Sequence, residues 1–167
     1  FGLATPETTY KTNPNNVKGL TFEDPTAAAE RIVQELEGKA DIIIALAHLG
    51  LDESSEYTSK LVAEKVDGID LIIDGHSHTV LTEGLKVGDT LIVQTGEYDK
   101  NFGIVELVCE NGKVTTAKAS LIAREAAEQL PEDAEVLQAI EGIKAEQSEI
   151  TSAVIGRTEI ELDGVRE

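Results

Sequence analysis

Two short runs of β-branched and aliphatic residues, separated by one amphipathic segment, constrain the fold of this chain more than any other feature. The runs cover residues 41–47 and 70–74, and turn-forming residues flank both. Residues 56–66 between them carry apolar side chains at helical spacing. A strand, a helix and a strand with short connections predict a β-α-β unit in a parallel or mixed sheet. The continuous apolar character of 41–47 also predicts a strand buried on both faces.

Local signals predict two more elements on the N-terminal side of this unit. Asp24 stands in an N-cap position, Pro25 in the first helical position and Gly38 at a stop, which predicts a helix from Asp24 to Gly38. Residues 1–4 are predicted to form a strand. Because the chain lacks an initial Met and both ends fall within predicted strands, we expect a piece of a longer protein.

Further strands are predicted in the second half of the chain, at residues 91–94, 103–108 and 113–117. The dipeptide Asn111-Gly112 between the last two is a hairpin turn signal. We therefore expect these strands to extend the sheet in an antiparallel manner.

The C-terminal part of the chain has a different character. Residues 129–149 are rich in charge and carry apolar residues at helical spacing, which predicts a long exposed helix that connects two domains. Residues 151–167 alternate apolar and polar residues as a strand does. We expect them to begin a second domain.

Composition excludes several functions. The formal net charge is −18, from 32 acidic and 14 basic residues, so a nucleic-acid polymer is not an expected partner. No apolar stretch approaches the roughly 20 residues that span a bilayer. Cys109 is the only cysteine, so an internal disulfide is impossible, and its apolar surroundings predict a buried, inert thiol.

All three histidines follow the predicted carboxyl ends of strands. His48 follows the first run, and His76 and His78 follow the second. Ligands bind at this edge in open α/β sheets, and neutral imidazole is a common metal ligand. The three histidines are therefore the candidate metal ligands. Gly75, next to His76, lets the backbone approach closely. Asp74 is a candidate either for a ligand or for a residue that orients a histidine ring from outside the ligand set. The alternative is a carboxylate that accepts backbone hydrogen bonds at the end of the strand.

Other sites and folds explain less of the sequence. A His-x-His pair also occurs by chance and in other folds. A metallo-β-lactamase-like site would need an Asp-His pair soon after His78, and an amidohydrolase barrel would need further histidines downstream; the sequence has neither. Ser54, Ser55 and Ser77 lack the setting of a nucleophile elbow, so no catalytic residue is assigned in this chain. A flavodoxin-like binding or regulatory module fits the strand-helix alternation and leaves the histidine clustering unexplained.

Ordered motifs run through the chain: IIIALAHLG at residues 42–50, LIIDGHSHT at residues 71–79 and QTG at residues 94–96. In this order they resemble the late motifs of the calcineurin-like metallophosphoesterases. Within that superfamily they look most like the branch of bacterial 5'-nucleotidases, UDP-sugar hydrolases and 2',3'-cyclic-nucleotide phosphodiesterases. Residues 2–7, 17–22 and 155–158 are similar to that branch as well.

This resemblance implies a fold and a domain plan. The fold is expected to be α/β, namely the later part of a four-layer α/β/β/α sandwich with a mixed sheet, followed by a linker helix. Residues 1–125 would form the C-terminal part of the metallophosphoesterase domain and residues 126–150 the linker helix. Residues 151–167 would be the start of a truncated 5'-nucleotidase C-terminal domain.

The resemblance also implies a function. The parent protein would hydrolyse phosphate esters of nucleotides with two divalent ions (manganese, zinc, iron or cobalt), His48 and His76 binding one ion and His78 the other. The family's earlier motifs, with the bridging carboxylate, an asparagine ligand and the catalytic histidine, do not occur here. The missing N-terminal half could be a separate chain, and the alternative is a non-catalytic fragment or binding module. Family members are typically exported to the periplasm, cell wall or cell exterior.

Overall fold

The computed structural model describes residues 1–128 and 130–161. The chain divides into two compact units, Phe1–Glu128 and Gln129–Glu167, which are described separately. The first unit contains, in chain order, β1 (Gly2–Ala4), α1 (Thr8–Lys11), a 3-10 turn (Pro14–Asn16), α2 (Pro25–Leu36), β2 (Ile44–His48), α3 (Ser59–Lys65), β3 (Leu71–Ile73), β4 (Leu85–Val87), β5 (Thr90–Val93), β6 (Asn101–Glu110), β7 (Lys113–Ala123) and α4 (Arg124–Ala127).

Five of these strands form one sheet in the order β1-β2-β3-β5-β4. The first four are parallel neighbours, and β4 pairs with β5 in the antiparallel direction. The predicted α/β class with a mixed, mostly parallel sheet is therefore confirmed. The prediction that residues 91–94 extend the sheet in an antiparallel manner is wrong, because β5 pairs with β3 in the parallel direction. Strand β4 is the antiparallel neighbour, and no sequence signal had indicated it.

The helices begin where short polar side chains cap them. Asp24 accepts hydrogen bonds from the amides of Thr26 and Ala27 at 2.7 and 3.3 Å, which confirms the predicted start of α2. The hydroxyl oxygen of Thr58 accepts one from the amide of Leu61 at 3.1 Å and caps α3 in the same way. Gly38 has φ +70° just after α2, a conformation in which glycine is unstrained.

The main core lies between this sheet and helices α2 and α3. Ala29 from α2 and Val62 from α3 are fully buried with Ala45, Ile72 and Ile92 from the sheet. Burying a large aliphatic side chain contributes about 1.5–3 kcal/mol, so this cluster holds the strand edges in place.

The prediction that residues 41–47 are buried on both faces is wrong. Ala45 is fully buried, whereas Ile44 and Leu46 on the opposite face are 37% and 60% exposed. The helices pack on one face of the sheet, and on the other face a second layer covers only β3 and β5. There Leu71, Leu91 and Val93 pack against β6 and β7. The described residues leave Ile44 and Leu46 outside both layers.

Strands β6 and β7 form a separate two-stranded antiparallel sheet, so the prediction that they extend the main sheet is wrong. The hairpin turn itself is confirmed: Asn111 and Gly112 have φ of 53° and 73° at the end of the two strands. The predicted burial of Cys109 is also wrong, because this residue is exposed next to the turn, where the register shifts.

The second unit contains one long helix, α5 (Ala134–Thr151), whose N-cap Asp133 accepts hydrogen bonds from the amides of Glu135 and Val136. Its residues are exposed, as predicted for residues 129–149. The predicted strand at 151–167 is absent from residues 152–161, which form neither helix nor strand, because no neighbouring strand pairs with them. Residues 162–167 lie outside the described part. Within the described residues, every helix is too short or too polar to cross a bilayer.

Candidate metal centre

Parallel pairing of β2 with β3 brings two of the candidate histidines together. His48 is the last residue of β2, and His76 lies three residues beyond the end of β3. Because the two strands are neighbours, their carboxyl ends share one edge of the sheet. The ring centroids of His48 and His76 are 5.1 Å apart, with the ring planes at 68°.

The turn that carries His76 and His78 has an unusual backbone. His76 has φ 74° and His78 has φ 53°, a left-handed region that residues other than glycine rarely adopt. Such conformations persist only where the surroundings hold them, and they cluster at functional sites. Gly75 leaves room for His48, because a Cβ at that position would lie 3.2 Å from His48 Nδ1.

Asp74 anchors this turn to the loop after β2. Its carboxylate accepts hydrogen bonds from the amides of Leu49, at 3.0 Å, and of Gly50, at 3.1 and 3.2 Å. These contacts correspond to the backbone-acceptor role, one of the roles that the sequence left open. A role in orienting a histidine ring stays a prediction.

Glu7 pairs with His76 and was not identified from the sequence. This carboxylate is buried, and its Oε2 lies 2.9 Å from Nε2 of His76. Hydrogen bonds from Lys11, Ser55 and His76 lower the pKa of Glu7 to about 2. Glu7 is thus ionised near neutral pH and can only accept, so Nε2 of His76 carries a proton and Nδ1 is the nitrogen that remains for a metal.

A second carboxylate stands beside His78. Glu97 Oε2 lies 2.9 Å from Nδ1 of His78, and Lys100 Nζ lies 2.8 Å from the other carboxylate oxygen. The hydrogen bond from Lys100 and the charge of Lys100, with smaller contributions from His78, lower the pKa of Glu97. His78 is 59% exposed, so it faces solvent more than His76 does.

The chemistry of this edge can be compared with known proteins. Residues 2–80 match the family model for calcineurin-like phosphoesterase. This stretch belongs to that family. It contains all three histidines, His48 at the end of β2 and His76 and His78 after β3.

Relatives extend the similarity of this phosphoesterase segment to the rest of the chain. The trifunctional nucleotide phosphoesterase protein YfkN of Bacillus subtilis is 34% identical over 173 residues, covering 100% of this chain and 11% of that protein. Mouse 5'-nucleotidase is 27% identical over 183 residues, covering 98% of this chain and 30% of the enzyme. The chain thus spans less than a third of either relative.

A solved structure supports the fold alone. Sulfate thiohydrolase SoxB from Thermus thermophilus superposes with a TM-score of 0.76 at 24% identity. The match covers 93% of this chain and 27% of that chain. The α/β architecture described above is therefore shared with that structure.

The donor types of the phosphoesterase segment suit a divalent metal, but the described residues do not hold a complete ligand set. Imidazole nitrogens are ligands for zinc, iron and other first-row metals. Within residues 1–128 and 130–161, no group of three or more His, Cys, Asp or Glu side chains converges as a metal site. The pair of His48 and His76 is therefore a partial fit.

Glu7 was not predicted from the sequence because its position at the site depends on the order of the strands in the sheet. It follows β1, and Ala4 pairs with His48 across the parallel β1-β2 ladder. The available signal was a carboxylate shortly after a predicted strand. Using that signal requires knowing that β1 lies next to β2, which the local pattern does not specify.

A cleft of about 820 Å³ lies at the opposite edge of the sheet, lined by residues that precede β2 and β3 and by the β6-β7 turn. Its lining includes the acidic residues Asp41, Asp67 and Asp89 and no histidine. The cleft is therefore separate from the candidate metal centre, and its volume says nothing about the chemistry there.

Proposed function

We propose that this protein is a metal-dependent phosphoester hydrolase acting on nucleotides, and that His48, His76 and His78 supply ligands to two divalent ions. The observation that carries the proposal is the 5.1 Å approach of the His48 and His76 rings at the carboxyl edge of a phosphoesterase segment. The similarity to YfkN, a nucleotide phosphoesterase, and to mouse 5'-nucleotidase favours a nucleotide substrate.

Each residue at this edge has a defined task under the proposal. Glu7 fixes the ring of His76 through Nε2, which directs Nδ1 toward a metal. Glu97 fixes Nδ1 of His78 and directs Nε2 in the same manner. Divalent ions bound there would supply Lewis-acid activation of water and neutralise charge on the phosphoryl group. The chain's own contribution is to hold the imidazoles in fixed orientations.

Charge supports a role for bound cations. The chain carries a formal net charge of −18, which repels a phosphate ester from most of its surface. A substrate phosphate would therefore need local positive charge, and two divalent ions at the histidine edge would provide it. Manganese, zinc, iron and cobalt all suit this donor set.

Further parts of the proposal concern residues beyond the histidines. Two ions normally need carboxylate ligands as well, and we propose that these and the catalytic group come from a preceding half of the domain, in the same polypeptide or as a separate chain. We also propose residues 1–125 as phosphoesterase domain, 126–150 as linker helix and 151–167 as the start of a C-terminal domain, in an exported protein.

Phosphate release tests the proposal. The protein in its natural full-length form would be assayed with AMP, and with 2',3'-cyclic AMP by release of nucleoside monophosphate, with added manganese and again after chelation. We expect turnover that the chelator abolishes and that His76→Ala reduces at least about 100-fold, because loss of a ligand should cost no less than the roughly 10–100-fold lost with a residue that only orients one. Gln138→Ala, at an exposed position of α5, is the control.

Three outcomes separate the possibilities. Chelator-sensitive turnover lost in His76→Ala supports the proposal. Full metal occupancy and an unchanged rate in His76→Ala would refute the assigned ligand. Metal binding without turnover of any nucleotide ester would instead identify a binding module, the second function considered for this chain.

A further inference from the structure

Gln94 links both ends of the turn that carries His76 and His78. It directly follows β5, and its side chain is buried, with 2% of the residue exposed. Its Oε1 accepts a hydrogen bond from the amide of Thr79 at 2.6 Å and one from the hydroxyl of Ser77 at 3.1 Å. Its Nε2 donates a longer hydrogen bond to Asp74 Oδ2 at 3.4 Å.

The direction of these hydrogen bonds makes the carboxamide group specific. The amide of Thr79 can only donate, so an acceptor must face it. Ionised Asp74 can only accept, so a donor must face it at the other end. Glutamate would place a second carboxylate against Asp74, and methionine would offer neither a strong acceptor nor a donor. Among side chains of this length, glutamine alone satisfies both ends.

The hydrogen bonds of Gln94 reach residues on both sides of the two histidines in the sequence. Asp74 precedes His76, and Thr79 follows His78, so the carboxamide ties the start of the turn to its end. Both histidines have positive φ values, which cost free energy unless the surroundings hold them. The three contacts of Gln94 provide such a restraint.

We propose that Gln94 is a positioning residue that holds the turn of residues 74–79 in the conformation that presents His76 and His78. As a statement about metal ligands this inference rests on the function proposed above. Gln94 itself touches neither imidazole in the described contacts and acts through Asp74, Ser77 and Thr79.

The network reaches the loop after His48 less directly. Ser77 Oγ accepts a hydrogen bond from the amide of Leu51 at 3.0 Å, and Asp74 accepts from the amides that follow His48. His48 itself belongs to β2 and is held by its strand ladder. Loss of Gln94 is therefore expected to disturb His76 and His78 more than His48.

The test uses the three histidines as separate reporters. The 167-residue chain, labelled with ¹⁵N-histidine, gives one set of ring nitrogen signals for each histidine. Spectra of metal-free wild type, Gln94→Met, Gln94→Glu and the exposed control Gln138→Met would be compared, with far-UV circular dichroism to establish folding. The natural full-length protein, in the same four forms, would then be titrated with Co²⁺ alone and followed by its visible absorption.

We expect Gln94→Met to move the ring signals of His76 and His78 clearly more than those of His48, and to weaken Co²⁺ binding about 10-fold or more. Gln94→Glu retains the acceptor toward Thr79 but places a carboxylate against Asp74, so it should also shift the signals of His76 and His78 more than those of His48. The Gln138→Met control should match wild type in both measurements.

Unchanged ring signals in a folded Gln94→Met protein would overturn the proposal. If Gln94→Met does not fold, Gln94→Glu decides: selective shifts of His76 and His78 support positioning, and unchanged signals overturn it. A wild-type protein that binds no Co²⁺ would refute the proposed function, while the metal-free spectra would still decide whether Gln94 positions the turn.

Discussion

Two aspartates tie β3 to the chain around β2, and removing them should destabilise the fold in proportion to the backbone amides they satisfy. Asp70 precedes β3, and its Oδ2 accepts a hydrogen bond from the amide of Ile43 at 2.8 Å. Asp74 follows β3 and accepts from two amides, those of Leu49 and Gly50. Both carboxylates are partly buried, which makes them a matched pair.

The magnitude follows from the amides left without a partner. Each buried donor that loses its acceptor costs about 1–3 kcal/mol, and partial solvent access favours the lower half of that range. Asp70→Ala leaves one amide and should lower the free energy of unfolding by about 1–2 kcal/mol. Asp74→Ala leaves two backbone amides and the more distant side-chain amide of Gln94, so its effect should be at least about 2–4 kcal/mol. The exposed Asp67 gives the surface control, with Asp67→Ala expected within about 0.5 kcal/mol of wild type.

Urea unfolding followed by far-UV circular dichroism measures the three effects, because the chain contains no tryptophan for fluorescence. The midpoint should fall in the order Asp67→Ala, Asp70→Ala, Asp74→Ala at a constant slope, which identifies a change in stability. If Asp74→Ala lowers the free energy of unfolding no more than Asp70→Ala does, the idea that the loss scales with the number of unsatisfied amides is refuted. A loss below about 1 kcal/mol in Asp74→Ala would show that water replaces the carboxylate without cost.

Two further substitutions test how His48 and His76 are placed. Gly75→Ala would put a Cβ 3.2 Å from His48 Nδ1 and force a shift of a few tenths of an ångström. We expect Mn²⁺ affinity, measured by isothermal titration calorimetry, to fall about tenfold with little change in stability. Gly2→Ala, where the nearest atom to the new Cβ lies at 3.9 Å, should behave as wild type. Glu7→Gln keeps an acceptor for His76 but removes the charge, so Mn²⁺ affinity should again fall at least about tenfold; equal affinity in the variant and wild type would show that Glu7 does not orient the ring.

Local sequence signals predicted the elements that position the candidate site. The cap at Asp24, the turn at Asn111-Gly112 and the apolar runs before His48 and His76 each depend on nearby residues, so they can be read without the fold. The approach of His48 to His76 needed one further rule, that the carboxyl ends of parallel neighbours share an edge. Their role as metal ligands remains a prediction.

Tertiary arrangement accounts for what the sequence did not reveal. Glu7 reaches His76 across 69 positions of sequence because β1 lies beside β2, and Gln94 reaches Asp74 because β5 lies beside β3. Strand order is decided by long-range packing, which periodicity does not encode. Burial fails for the same reason, since an apolar run such as that around Leu46 is buried only where another layer covers it.

The uncovered part of the sheet and His48 lie on the same side of β2. Side chains alternate along a strand, so His48 projects from the face that carries the exposed Ile44 and Leu46, while Ala45 faces the helices. An apolar sheet face of this kind is typical of a surface that another element covers. An element covering Ile44 and Leu46 would lie beside His48, where a bound ion would need its carboxylate ligands. Under the proposed function, a preceding half-domain would both cover this face and supply the carboxylate ligands, and a covering element that carried no carboxylate toward His48 would contradict that proposal.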